Sequence, residues 1–169
     1  IYTTFDNFTP ASVGAYTGRL DGTIRNLTGW GDALNQNLSY SEGLQGISSH
    51  FSLPVDASET RLNLTFQGNQ AAIVESSLKS LNIENDFFHL SAGLSHPVYQ
   101  SGQRQLTVEG SFAYRYTRNF ILGMPISFAE GEEENGKAKV GVLRLLQDYQ
   151  IKGVDHAVSL RSVFNLGIG

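Results

Sequence analysis

The sequence predicts an all-β protein, an antiparallel transmembrane β-barrel, and three observations carry that expectation. In Gln105–Thr117 the even positions Leu106, Val108, Gly110, Phe112, Tyr114 and Tyr116 are apolar, aromatic or glycine. The odd positions Gln105, Thr107, Glu109, Ser111, Arg115 and Thr117 are polar, with Ala113 the exception. A period of two marks a strand, because successive side chains leave opposite faces of the pleat. The alternation holds for about twelve residues, where a strand of a soluble sandwich averages about five or six and a tilted membrane-crossing strand needs about ten. The polar positions also carry too much charge for a protein core, so one face meets an apolar medium and the other meets water. On this phase Phe112 is expected to face lipid and Ser111 to tolerate arginine.

The same pattern recurs along the chain. Ile1–Phe8 is a short aromatic strand, ended by the turn at Thr9-Pro10-Ala11-Ser12, where proline cannot donate to a ladder. Ala15–Asn26 sets Tyr16, Leu20 and Ile24 against Thr17, Arg19, Asp21, Thr23 and Arg25. Ala33–Ser41 sets Leu34, Leu38 and Tyr40 against Asn35, Asn37, Ser39 and Ser41. Leu44–Val55 follows, with Ile47, Phe51, Leu53 and Val55 opposed to Ser48, His50 and Ser52, and 54–60 reads as a turn. Arg61–Gln67 alternates again, while 69–82 is ambiguous, a helical turn or a strand end. Asp86–Val98 sets Phe88, Leu90, Ala92 and Leu94 against His89, Ser91 and Ser95. After the strand at Gln105–Thr117 comes the acidic, glycine-containing loop 126–136. Val140–Ile151 is the least regular strand and Ala157–Gly167 the last, about nine in all.

Composition narrows the function class. No run approaches the roughly eighteen apolar residues of a membrane helix, and the absence of cysteine removes disulfides and thiolate chemistry. A net charge of −4 gives no bias toward nucleic acid. His50, His89, His96 and His156 lack metal-ligand spacing, no GxSxG is present, and Glu130, Glu132, Glu133 and Glu134 lack the spacing of a calcium loop. No catalytic residue, metal site or cofactor is therefore expected. Four Asn-x-Ser/Thr triplets arise from alternation itself. Gly29-Trp30-Gly31 lacks the lysine and helix of a phosphate loop and reads as a hairpin turn with Trp30 at headgroup level.

Connections alternate in length. Those near Thr28–Gly31, Pro54–Thr60, Val98–Arg104 and Lys152–His156 fall at one end of the strands. Those near Thr9–Gly14, Ser41–Gly43, Asn69–Leu81 and Ile126–Gly136 fall at the other and include the two longest. Bacterial barrels pair short periplasmic turns with longer extracellular loops.

Several short motifs carry a resemblance. They are Thr4-Phe5-Asp6-Asn7, the run Asn26-Leu27-Thr28-Gly29-Trp30-Gly31-Asp32, Leu53-Pro54, Ser95-His96-Pro97-Val98, the run Val142–Tyr149, and His156-Ala157-Val158-Ser159-Leu160-Arg161. Together they resemble the barrel of two-partner secretion transporters, the hemolysin activator and secretion proteins. The resemblance implies a sixteen-stranded outer-membrane barrel of a Gram-negative cell, preceded by two periplasmic domains, that exports a large partner polypeptide without nucleotide. It also implies that Asn26, Gly29, Gly31 and Asp32 form a periplasmic turn. The family's valine-arginine-glycine-tyrosine tetrapeptide does not occur here. Residues 1–169 are accordingly expected to be one domain, the N-terminal part of such a barrel, with the periplasmic domains and the C-terminal half of the barrel outside it.

The phase of the strands places Arg19, Asp21, Arg25, Arg61, Glu109, Arg115, Arg144, Asp148 and Arg161 on the water-facing side, as lumen-lining candidates. Their charges would either pair across strands or present a polar wall to a passing chain, with outer-membrane lipid on the other side. Two alternatives to a protein-exporting transporter stay open. One is a passive porin or solute channel; the other is a soluble β-sandwich binding module, against which strand length argues.

Overall fold

The computed structural model describes residues 1–126 and 136–168, and it contains one antiparallel ten-stranded sheet. Its strands are β1 (Tyr2–Asp6), β2 (Thr17–Arg25), β3 (Ala33–Tyr40), β4 (Leu44–Pro54), β5 (Arg61–Ala72), β6 (Glu84–Ser101), β7 (Arg104–Ile121), β8 (Met124–Pro125), β9 (Lys137–Lys152) and β10 (Ala157–Ile168). Neighbours in sequence are neighbours in space, apart from two-residue β8, which pairs only with the end of β7. β1 and β10 are the sheet's two edges. The acidic residues Glu130, Glu132, Glu133 and Glu134 lie outside the described residues.

Register turns the alternation into two continuous faces. Leu20 lies opposite Leu38, Leu38 opposite Ile47, Phe51 opposite Leu64, Phe66 opposite Leu90, Leu90 opposite Tyr114, and Phe112 opposite Leu143. These side chains remain open, with Leu90 48%, Phe112 46% and Leu143 46% exposed. Among the described residues Ala113 is the only buried hydrophobic one. A soluble sandwich would bury this apolar face under a second sheet, and no such layer is present among the described residues, so the sandwich alternative is corrected. Among the described residues no helix is long and apolar enough to cross a membrane.

Strand ends differ from expectation. β5 continues to Ala72, β6 and β7 each run 18 residues, and β9 begins at Lys137. At about 3.3 Å per residue such a strand spans about 60 Å, well beyond a hydrocarbon core of about 30 Å even when tilted. The extra length stands in water, where neither face need be apolar. There Asn85 pairs with Asn119 and Asp86 with Arg118, so alternation fades while the backbone ladder continues. Val98, expected to end its strand, is instead a bulge inside β6, which continues to Ser101: register shifts between Pro97 and Tyr99, next to a proline that lacks a ladder donor. The ambiguous 69–82 resolves into the end of β5 and a 3-10 turn at Lys79–Leu81. β9 looked irregular because Val140, Val142 and Leu146 sit on the polar side, opposite Arg115, Ala113 and Glu109.

The apolar face also carries polar pairs, among them Ser49 and Gln36. Ser49 donates from its hydroxyl to Gln36 Oε1 at 2.9 Å, which pairs the hydroxyl proton with the amide oxygen. Unpaired, either group would cost several kcal/mol in hydrocarbon, of the order of 4–8 for transfer to a solvent that cannot hydrogen-bond.

Candidate functional site: the polar face and the short-turn rim

Register places the nine charged residues singled out from sequence on one face. Arg19 and Asp21 lie on β2 opposite Ser39 and Asn37, with Arg25 at the strand end opposite Ala33. Arg61 lies opposite Ser95, and Ser95 in turn lies opposite Glu109. Arg115 faces His89 and Val140, Arg144 faces Ser111 and Asn165, and Asp148 faces Thr107 and Arg161.

These residues do not form one network. Arg161 donates to Asp148 Oδ2 from Nη2 at 2.6 Å and from Nε at 2.9 Å, and Gln150 adds a bond to the other oxygen. Arg19 donates to Asp6 Oδ2 at 2.9 Å. Asp21 accepts from Asn37 at 2.6 Å, Arg61 Nε donates to Ser52 at 2.8 Å, and Arg144 Nε donates to Asn165 at 2.9 Å. Glu109 accepts one long bond of 3.5 Å from Asn63. The wall is therefore largely a hydrogen-bonded surface of Ser, Thr, Asn and Gln with cations held in place on it. Exposed pairs of this kind contribute about 0–1 kcal/mol each, which orients side chains more than it holds the sheet.

Asp6 escaped sequence reading. It sits in a short aromatic strand, and its pairing with Arg19 depends on the β1–β2 register, which no local pattern fixes. Phe87 was also missed, an aromatic ring on the polar face that stacks with His89 at 6.5 Å between ring centres.

The second feature is the rim of short turns. Between β2 and β3 the carboxylate of Asp32, 1% exposed, accepts the backbone N–H of Leu27 at 3.0 Å and of Thr28 at 2.9 Å, and the Thr28 hydroxyl at 2.5 Å. Asn26 Oδ1 takes the Gly31 N–H at 2.8 Å. The chain can turn this tightly because Asn26, Gly29 and Gly31 adopt φ of 59°, 87° and 78°, values that asparagine and glycine tolerate best. Asp56 repeats the device between β4 and β5, accepting Ser58 and Thr60 N–H groups and the Thr60 hydroxyl. Thr60 Oγ1 in turn lies 2.9 Å from His96 Nδ1, and Pro54 lies beside Gly31. The scattered motifs NLTGWGD, Leu53-Pro54 and Ser95-His96-Pro97-Val98 thus converge on one rim.

The Thr28 hydroxyl bond holds the Asp32 carboxyl below its ordinary value of 3.8, and the Thr60 hydroxyl does the same for Asp56. A lowered folded pKa means that this contribution to stability is fully present above the unfolded value and is lost as pH falls through the folded one. The amides of Leu27 and Thr28 should therefore stay protected from hydrogen exchange at neutral pH. After correction for intrinsic rate, they should lose protection below about pH 3.8. Equal corrected protection at neutral pH and at the acid end would contradict the role given to Asp32.

A sheet with an uncovered apolar face, a polar face of opposite character and strands long enough to span a bilayer defines a membrane β-barrel wall. The chain belongs to the haemolysin secretion/activation protein family ShlB/FhaC/HecB, whose profile matches residues 1–156. It is accordingly assigned to the outer membrane of a Gram-negative bacterium. It is similar in structure to CdiB from Escherichia coli, with a TM-score of 0.80 and 17% identity over 98% of this chain and 31% of that one. CdiB from Acinetobacter baumannii superposes with a TM-score of 0.75 and 17% identity, over 90% of this chain and 28% of that one. At that identity the likeness establishes the fold alone. This chain spans under a third of either structure's length. A search of curated proteins gives no match.

Proposed function

We propose that this chain is the front wall of an outer-membrane transporter that exports a large partner polypeptide by two-partner secretion, without nucleotide hydrolysis and without catalysis of its own. The observation that carries the reading is family membership over residues 1–156. The uncovered apolar face supports it from physics, as the side that meets outer-membrane lipid. So does the polar face, as a lumen lining along which an unfolded chain moves without being held by apolar burial. In this reading Arg19, Asp21, Arg25, Arg61, Glu109, Arg115, Arg144, Asp148 and Arg161 line the lumen. Asn26, Gly29, Gly31 and Asp32 build a periplasmic turn. The edges β1 and β10 are completed by strands beyond these residues to a sixteen-stranded barrel, because unpaired backbone groups cost several kcal/mol each in hydrocarbon.

The test is genetic. Cells lacking the transporter should retain one large protein that wild-type cells release, and re-expression should restore its release. Unchanged secretion, with altered uptake of small solutes, would favour a passive channel.

A further inference from the structure

The cations of the polar face are not equivalent. Arg19 and Arg161 are neutralised by Asp6 and Asp148. Arg61 donates to the neutral Ser52 hydroxyl, and Arg25 stands at a strand end. Across the middle of β6, β7 and β9, by contrast, Arg115 lies directly opposite His89, and Arg144 lies on the next strand. The three surround a shallow cavity of about 200 Å³, floored by Ala113, Val140 and Val142.

Among the described residues no carboxylate forms an ion pair with them. Glu109 is the diagonal neighbour of Arg144, two positions along the adjacent strand, but it makes no ion pair with it and accepts its long bond from Asn63 instead; Asp148 is four residues from Arg144 along β9, about 13 Å, and already bound by Arg161. Arg144 is steadied by neutral Asn165, and Arg115 lies 5.8 Å from the centre of the Phe87 ring. Neither contact cancels a charge. His89 adds a ring nitrogen, Nδ1, that is enclosed and has no hydrogen-bond partner.

We infer that Arg115, Arg144 and His89 form a discrete anion station on the lumen wall, which transiently binds carboxylate side chains of a polypeptide in transit. The inference rests on the proposed transport function and deepens it. Two guanidinium groups on adjacent strands offer planar paired donors to a carboxylate, and the cavity between them admits one. Arg25 and Arg61 stand singly, whereas here two cations without an ion pair line one cavity, so an acidic stretch meets a paired site rather than a lone charge. Exposure keeps that hold weak, as transit requires.

The intact transporter in a planar bilayer tests this with three probes: a ten-residue glutamate peptide, a ten-residue lysine peptide and inorganic phosphate. The glutamate peptide should block the current for roughly fivefold longer in the wild type than in an Arg115→Gln, Arg144→Gln variant, the size expected of two exposed charge pairs. That difference should shrink at high salt. Arg115→Lys with Arg144→Lys should recover much of the block, which separates charge from fold, and unchanged heat-modified gel mobility verifies that each variant forms a barrel. Equal blocks in wild type and variant overturn the station, the cavity then being filled by another part of the longer chain or by nothing. Phosphate producing the same block reduces it to a free-anion site and equally overturns it. A wild type that conducts and yet exports no protein from cells defeats the transport reading itself, and the station's occupant with it.

Discussion

Phe112→Arg in the intact transporter should destabilise the barrel by about 2–4 kcal/mol, the cost of a cation on a lipid-facing strand near the bilayer midplane. Phe112 lies within the long strand β7, 46% exposed on the apolar face, opposite Ala92 on one side and Leu143 on the other. Its ring also covers Gly141, where an added Cβ would come within 3.5 Å of it. An arginine there loses the ring's cover of the glycine backbone and must desolvate a charge or thin the membrane around it. The readout is the temperature at which the heat-modifiable band converts to the unfolded one. Thr107→Arg is the matched control on the polar face, since Thr107 lies opposite Asp148. Equal shifts for the two variants would contradict the assignment of faces.

Ser111, although on the polar face, is not a silent position as alternation alone suggests. It lies opposite Arg144, so an arginine there would bring two like charges together across the strands. The lesson is general for this chain. Period-two patterning groups residues by the face they occupy. It does not specify the cross-strand neighbour, because that depends on register, which turn geometry sets.

The anion station illustrates the gap. His89, Arg115 and Arg144 are spread over 56 positions of sequence and meet only through the β6–β7 and β7–β9 registers. The partnership of Asp6 with Arg19 was hidden in the same way. The turn motif was more legible, because Asn26, Gly29, Gly31 and Asp32 act within one local loop, where residue type and backbone angle determine each other. Strand ends were least legible, since beyond the membrane the alternation that reveals a strand has no physical cause.

The central claim is that the polar face lines the path of an exported polypeptide while the apolar face meets lipid. Because residues 1–169 contain no cysteine, single cysteines can report on each face in an otherwise cysteine-free transporter. Gln67→Cys and Thr107→Cys probe the polar face; Leu64→Cys and Leu145→Cys probe the apolar one. With a cysteine-bearing secreted partner stalled in transit, disulfide crosslinks to that partner should form from positions 67 and 107 and be absent from 64 and 145. Crosslinks from the apolar positions, or none from the polar pair while the stalled partner remains bound, would contradict the account.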